Sequence, residues 1–245
     1  MMYVSRQPGI KLAYEFLPGD GPVIVFCPGY ASDMTGSKAM ALAAWCATHG
    51  RAMLRFDYAG HGASDGGFTE SGIGDWAADA GFILEQVVAT RDVVLVGSSM
   101  GGWISLLLGA RLQSRVQAMV LIAPAPDFTE RLRERELTPE QRLTLEQTGI
   151  VYQPSEYGEP LPFSRALIER SAAHLVMKND IQITCPVRIL HGMKDEAVPW
   201  RLSLELVNRL ASTDVRLIYV KNGDHRLSAP EDLALLEQTL SALLG

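Results

Sequence analysis

Hydrophobic and polar residues alternate along this chain in two rhythms. Short runs that are apolar almost throughout fall at 11–16, 23–26, 52–56, 93–96, 118–122, 187–190 and 215–220. Runs of that length and uniformity predict strands covered on both faces. Between them the apolar positions recur at helical spacing, over 36–48, 75–89, 101–112, 200–210 and 231–244. Trp76, Ala80, Ile83 and Val87 mark one such stripe, and Leu233, Leu236, Leu240 and Leu243 another. Ser228 followed by Glu231 predicts a capping box at the start of the last helix.

Strand and helix in alternation predict an α/β fold: a mostly parallel, twisted sheet with helices on both faces and ligands at the carboxyl ends of the strands. The alternation breaks once. Residues 124–181 contain no convincing strand; they read as charged helices at 130–136 and 140–147, a loop with Pro154, Pro160 and Pro162, and an amphipathic stretch at 163–177. The sequence therefore predicts one domain over 1–245 with a small helical cap inserted at about 124–181.

Composition narrows the partners. A hydrophobic share of 47% supplies a large core, and a net charge of −6 without any basic stripe argues against nucleic acid. Cys27, Cys46 and Cys185 are too scattered for a disulfide framework or a metal site, so they read as buried apolar residues in a reducing compartment. No apolar run approaches bilayer length, and no signal or transit peptide is expected. The default location is cytoplasmic; oligomeric state is left open.

The chemistry begins at Gly97-Ser98-Ser99-Met100-Gly101, between the strand at 93–96 and the helix at 101–112. A G-x-S-x-G at a strand-to-helix turn is the sequence form of a nucleophile elbow and marks Ser99 as the attacking hydroxyl. Met100, opening the helix, offers an unpaired amide to a developing oxyanion. The serine needs a base, and His225, in the polar loop after the last strand, is the histidine best placed to serve. His191, ending the preceding strand, reads equally as a packing or hydrogen-bonding residue; His49, His61 and His174 read as structural. Asp195 is the candidate to orient His225, with Glu196 and Asp127 as alternatives and Asp224 as a loop former. A second oxyanion amide is expected from Tyr30, because Gly29 permits close approach and Pro28 has no N–H. Met34, Trp103, Phe128, Phe163 and Trp200, with Tyr30, are candidates for an acyl pocket.

Taken together, Phe26-Cys27-Pro28-Gly29-Tyr30, the stretch from Arg55 to Asp65, Gly97 to Trp103, His191-Gly192-Met193-Lys194-Asp195 with Val198-Pro199-Trp200, and Gly223-Asp224-His225-Arg226 resemble the α/β-hydrolase superfamily. More narrowly, they resemble its mitochondrial palmitoyl-protein thioesterase branch, also described as an acyl-glucuronide esterase, in the manner of a bacterial relative. The resemblance implies Ser99, Asp195 and His225 as a triad, Tyr30 and Met100 as oxyanion donors, and an ester or thioester hydrolase needing neither metal nor organic cofactor. Its substrate would be a small-molecule or acylated compound. A broad esterase, an amidase or peptidase, a carbon–carbon hydrolase and a low-turnover ligand receptor are the alternatives on the same fold.

Overall fold

The structure is a computed structural model that describes residues 1–7, 9–155 and 158–245, the side chain of Arg135 excepted. In chain order the described strands and α-helices are β1 (Met2–Gln7), β2 (Ile10–Leu17), β3 (Asp20–Cys27), α1 (Ser37–Thr48), β4 (Arg51–Phe56), α2 (Ile73–Val87), β5 (Val93–Ser98), α3 (Met100–Leu112) and β6 (Val116–Ile122). There follow α4 (Phe128–Arg131), α5 (Pro139–Thr148), β7 (Ile150–Gln153), β8 (Leu161–Ser164), α6 (Arg165–Ser171), β9 (Val187–Gly192), α7 (Arg201–Arg209), β10 (Val215–Val220) and α8 (Pro230–Leu244).

Eight strands form one sheet in the order β1-β2-β4-β3-β5-β6-β9-β10. Pairing is antiparallel from β1 through β2 to β4 and parallel beyond. The period of two splits each central strand between two cores. Val23, Val25 and Cys27 of β3, with Val93 and Leu95 of β5, pack against α2, α3 and Leu206 of α7. Ile24 and Phe26, with Val94 and Val96, pack on the opposite face against α1 and α8. Both faces are thus covered, which explains why these strands read as continuous apolar runs.

Connections from β3 lead to β4 on one side, and the next strand, β5, returns to the other. The carboxyl ends of β3 and β5 therefore meet at a topological switch point, the crevice where ligands sit on such sheets. Two loops leave from there, one carrying Tyr30 and one carrying Ser99.

Several sequence expectations change. β1 is an additional strand; it is nearly all exposed and lacks the apolar signature of the others. The 124–181 stretch contains the hairpin β7–β8, whose four-residue strands are too short for a periodicity to register. Of the loop expected at 153–162, Glu156 and Tyr157 lie outside the described residues. The charged 130–136 stretch is the end of α4 followed by a π-type turn over Leu132–Glu136. The last helix is capped not by Ser228 and Glu231 but one residue later, where the Asp232 carboxylate accepts the Ala229 amide at 3.3 Å. No helix among the described residues is long and apolar enough to cross a membrane.

The segment between β6 and β9 has a small core of its own, Leu132, Leu137, Leu145 and Val151. Asp127, in the left-handed region at φ 54°, closes the segment on itself by accepting the amides of Val176 and Met177, both at 2.8 Å. Further polar ties fasten the segment to the sheet domain. The Trp103 indole donates to the His174 carbonyl at 3.0 Å, and Arg170 makes a two-pronged pair with Asp75 at 2.6 and 2.5 Å.

Candidate active site

The turn after β5 is shaped by steric exclusion. Ser99 has φ 53° and ψ −117°, a conformation that costs on the order of 1–3 kcal/mol and persists only where its surroundings enforce it. Its amide donates to the Ile122 carbonyl at 2.9 Å, and its carbonyl accepts the amides of Gly102 at 2.9 Å and Ala125 at 3.1 Å. A Cβ on Gly97 would stand 2.3 Å from the Gly101 carbonyl oxygen, and one on Gly101 would stand 2.0 Å from that of Cys27. The two glycines let the start of α3 press against the end of β3, which brings the Tyr30 loop beside the Ser99 turn.

Ser99 Oγ lies 3.1 Å from His225 Nε2, and His225 Nδ1 lies 2.7 Å from Asp195 Oδ2. Three loops, after β5, β9 and β10, thus converge at the carboxyl edge of the sheet. Asp195 is shut away from solvent, while His225 is partly open. Burial alone pushes the Asp195 carboxyl up, but the bonds from His191, His225 and the Val198 amide outweigh it and hold the group down at about 2. It stays a carboxylate across neutral pH, so the His225 nitrogen facing it carries the proton. His225 Nε2 is then free to accept from the Ser99 hydroxyl.

Among the described residues the amides of Tyr30 and Met100 donate to no backbone carbonyl, and both residues line the cavity into which Ser99 and His225 open. The loop passes close to the nucleophile, but glycine is not sterically required at position 29: a Cβ there would stand 3.5 Å from that of Ser99, an ordinary van der Waals contact. Behind the loop, the Asp57 carboxylate accepts the amides of Met34 at 2.7 Å and Ala63 at 2.8 Å. That is the structural use of the Arg55–Asp65 motif: Gly62 leaves room for the carboxylate, with a Cβ there 2.1 Å from Asp57 Oδ2.

The cavity encloses about 760 Å³, within the few hundred to about 1,000 Å³ usual for small-molecule sites. Tyr30, Phe128 and Phe163 line it as expected, with Leu132 and Leu161. The Tyr30 and Phe163 rings stack at 5.1 Å and 11°, and the Tyr30 hydroxyl donates to the Pro162 carbonyl of β8. Met34, Trp103 and Trp200 do not line it. Met34 is fully buried, its amide and carbonyl held by Asp57 and Arg55. Trp103 is buried on α3, drawn inward by its bond to His174. Trp200 faces a separate depression, with Arg201 stacked 4.1 Å above its ring and Tyr219 against its edge.

Among the alternatives for the acid, Asp127 is committed to Val176 and Met177, and Asp224 accepts the Leu227 amide at 2.9 Å as a loop former. Glu196 lines the cavity instead of meeting His225. The sequence reading missed a polar wall containing Lys38, Arg131, Glu136 and Arg226. Lys38 is the most telling: Nζ donates to the Arg226 carbonyl and, at 3.3 Å, to Ser228 Oγ, tying α1 to the loop that bears His225. Burial and the neighbouring Arg226 charge push its ammonium down to about 8. Only its position, just after the Tyr30 loop at the switch point, hinted at this.

Sheet order, turn and convergent loops are those of an α/β-hydrolase, and the sequence agrees. Residues 21–160 match the family described as Serine aminopeptidase, S33, and the chain belongs to that family within the α/β-hydrolases. Within it, the similarity narrows to a particular group. The chain is 39% identical to Palmitoyl-protein thioesterase ABHD10, mitochondrial, of Rattus norvegicus, across 100% of this chain and 82% of that protein. The Homo sapiens protein of the same name is 37% identical, over 100% and 80%. A putative hydrolase from Agrobacterium vitis superimposes with a TM-score of 0.94 at 40% identity, covering 100% of this chain and 97% of that one. Alpha/beta hydrolase domain-containing protein 10 from mouse gives 0.90 at 39% identity, over 99% and 97%.

Proposed function

We propose that this chain is a serine hydrolase that cleaves acyl thioesters and esters through an acyl-Ser99 intermediate. The observation that carries the reading is the hydrogen-bonded line Ser99–His225–Asp195 opening into a cavity with an aromatic wall. His225 Nε2 takes the hydroxyl proton as Ser99 Oγ attacks the carbonyl carbon. The carbonyl oxygen becomes negative between the Tyr30 and Met100 amides, each such donor being worth about a hundredfold or more in rate. The tetrahedral intermediate collapses, the carbon–sulfur or carbon–oxygen bond breaks, and His225 returns the proton to the leaving group. Water, deprotonated by His225, then attacks the acyl carbon; the carbon–Oγ bond breaks, His225 returns the proton to Ser99 Oγ, and the acid is released.

Residues 124–181 act as the cap. Tyr30, Phe128, Leu132, Leu161 and Phe163 take the acyl chain, four of these five residues coming from the cap segment. The names of the relatives support a long acyl chain, and the apolar wall provides the driving force for binding one. Free thiols at Cys27, Cys46 and Cys185, the first two buried, support a reducing compartment, a condition that a cytoplasmic or a mitochondrial location meets.

A substrate series tests this. With acyl thioesters from two to sixteen carbons, kcat/KM is expected to rise by up to about fourfold per methylene until the wall is covered, from about 0.8 kcal/mol per buried CH₂. An aminoacyl anilide is expected to be turned over at least about a hundredfold more slowly than the long thioester, because it lacks the acyl chain whose methylenes cover the apolar wall, each worth about 0.8 kcal/mol. A flat chain-length profile, or preference for the anilide, would sink the acyl reading.

A further inference from the structure

Asp195 is held by more than the triad. Its Oδ2 meets two imidazoles, His225 Nδ1 at 2.7 Å and His191 Nε2 at 3.0 Å, while Oδ1 accepts the amides of Ala197 at 2.9 Å and Val198 at 2.7 Å. His191, the penultimate residue of β9, has no exposed surface. Its other nitrogen, Nδ1, lies 2.6 Å from the hydroxyl of Ser203, a fully buried serine on α7. Resting on the reading of Ser99, His225 and Asp195 as the catalytic line, we propose that His191 and Ser203 form a second, buried arm that positions Asp195 and limits its pull on His225.

The tautomers follow from the donors. An ionised carboxylate has only lone pairs to offer, so both ring nitrogens facing Oδ2 carry hydrogen. His191 is then left with a bare Nδ1, which accepts from the Ser203 hydroxyl. A neutral ring is fully satisfied in this arrangement, as a buried imidazole requires. His191 has no line to Ser99, because Asp195 stands between them; it is a positioning residue that acts through the carboxylate. Its N–H also draws on the negative charge that would otherwise stabilise the His225 imidazolium. Removing that N–H therefore raises the proton affinity of His225, and the enzyme should need a higher pH to switch on.

Other titratable groups surround the pair. Lys194 and Glu196 share the Asp195 loop, Asp224 and Arg226 flank His225, Lys38 reaches that loop from α1, and Tyr219 of β10 is in register with His191. All are unchanged in the variants, so a moved profile reports on the buried arm.

The test is the pH dependence of kcat/KM, from pH 5 to 9 on one acyl ester, for wild type, His191→Leu and His191→Gln, with Ser99→Ala as the blank. His191→Leu is expected to lower kcat by about 30-fold with KM within about twofold, and to move the acid limb up by about half a unit to one unit. His191→Gln restores an N–H near the same place and should return the limb to within about 0.2 units of wild type. A dead Ser99→Ala beside a His191→Leu limb that stays put or moves down overturns this proposal alone; a fully active Ser99→Ala overturns the site itself. If the leucine variant does not fold, ¹⁵N-histidine NMR of the wild type at neutral pH decides: His191 should hold its proton on Nε2. A proton on Nδ1 overturns the proposal.

Discussion

Replacing Ser99 by Ala is expected to lower kcat on an acyl ester by about 10⁵-fold or more while the protein still folds. The nucleophile is removed outright, and members of such a catalytic unit act together, so the loss approaches that of the whole unit. What survives is the contribution of the Tyr30 and Met100 amides and of binding, on the order of 10³–10⁴ over water. The fold should not suffer. The turn is held by backbone bonds to Ile122, Gly102 and Ala125 and by the close approach at Gly101, none of which uses the hydroxyl. Steady-state kinetics with a thermal melt check both halves; retention of more than about 1% of wild-type kcat, with a cleanly purified variant, would remove Ser99 from the mechanism.

The Asp195→Asn variant is expected to cost about 10⁴-fold in kcat, for a reason specific to its hydrogen bonds. The carboxylate accepts at both oxygens: two amides at Oδ1 and two imidazoles at Oδ2. An asparagine has a single oxygen. Turning it to the Ala197 and Val198 amides leaves an NH₂ facing both rings, and His225 Nδ1 must then become the acceptor. The ring proton moves to Nε2, where it meets the Ser99 hydroxyl as a second donor and the base is lost. Turning the oxygen to the rings instead opposes NH₂ to two backbone amides, which costs stability. The variant should therefore be both slow and less stable, read by kcat and by melting temperature. A loss below about tenfold would mean that His225 does not depend on Asp195 for its tautomer.

Much of this arrangement was written in local sequence. The elbow was legible because Gly97, Ser99 and Gly101 are spaced by steric need, and the triad because each member follows an apolar strand. Tyr30 is the expected second donor because it follows Gly29 in the loop after β3, where Pro28 lacks an amide proton. The failures share a different cause. Met34, Trp103 and Trp200 are apolar and near the cavity in sequence, yet their placement depends on Asp57, His174 and Tyr219, partners brought together by the tertiary fold. β1 is exposed at every position but Val4 and so carries no apolar signature, and β7 and β8 are too short to show a period. Lys38 and the His191–Ser203 pair were hidden because their meaning lies in contacts between α1, α7 and loops far apart in the chain.

The most direct measurement is the mass of the acyl-enzyme. Wild type mixed with a long-chain acyl thioester, quenched in acid within its first turnovers and digested, should carry the acyl group on Ser99 and nowhere else, and a fluorophosphonate should block that same residue and abolish turnover. A protein that turns over the thioester while Ser99 remains unmodified, or that remains active after the reagent has reacted, would contradict an acyl-serine mechanism.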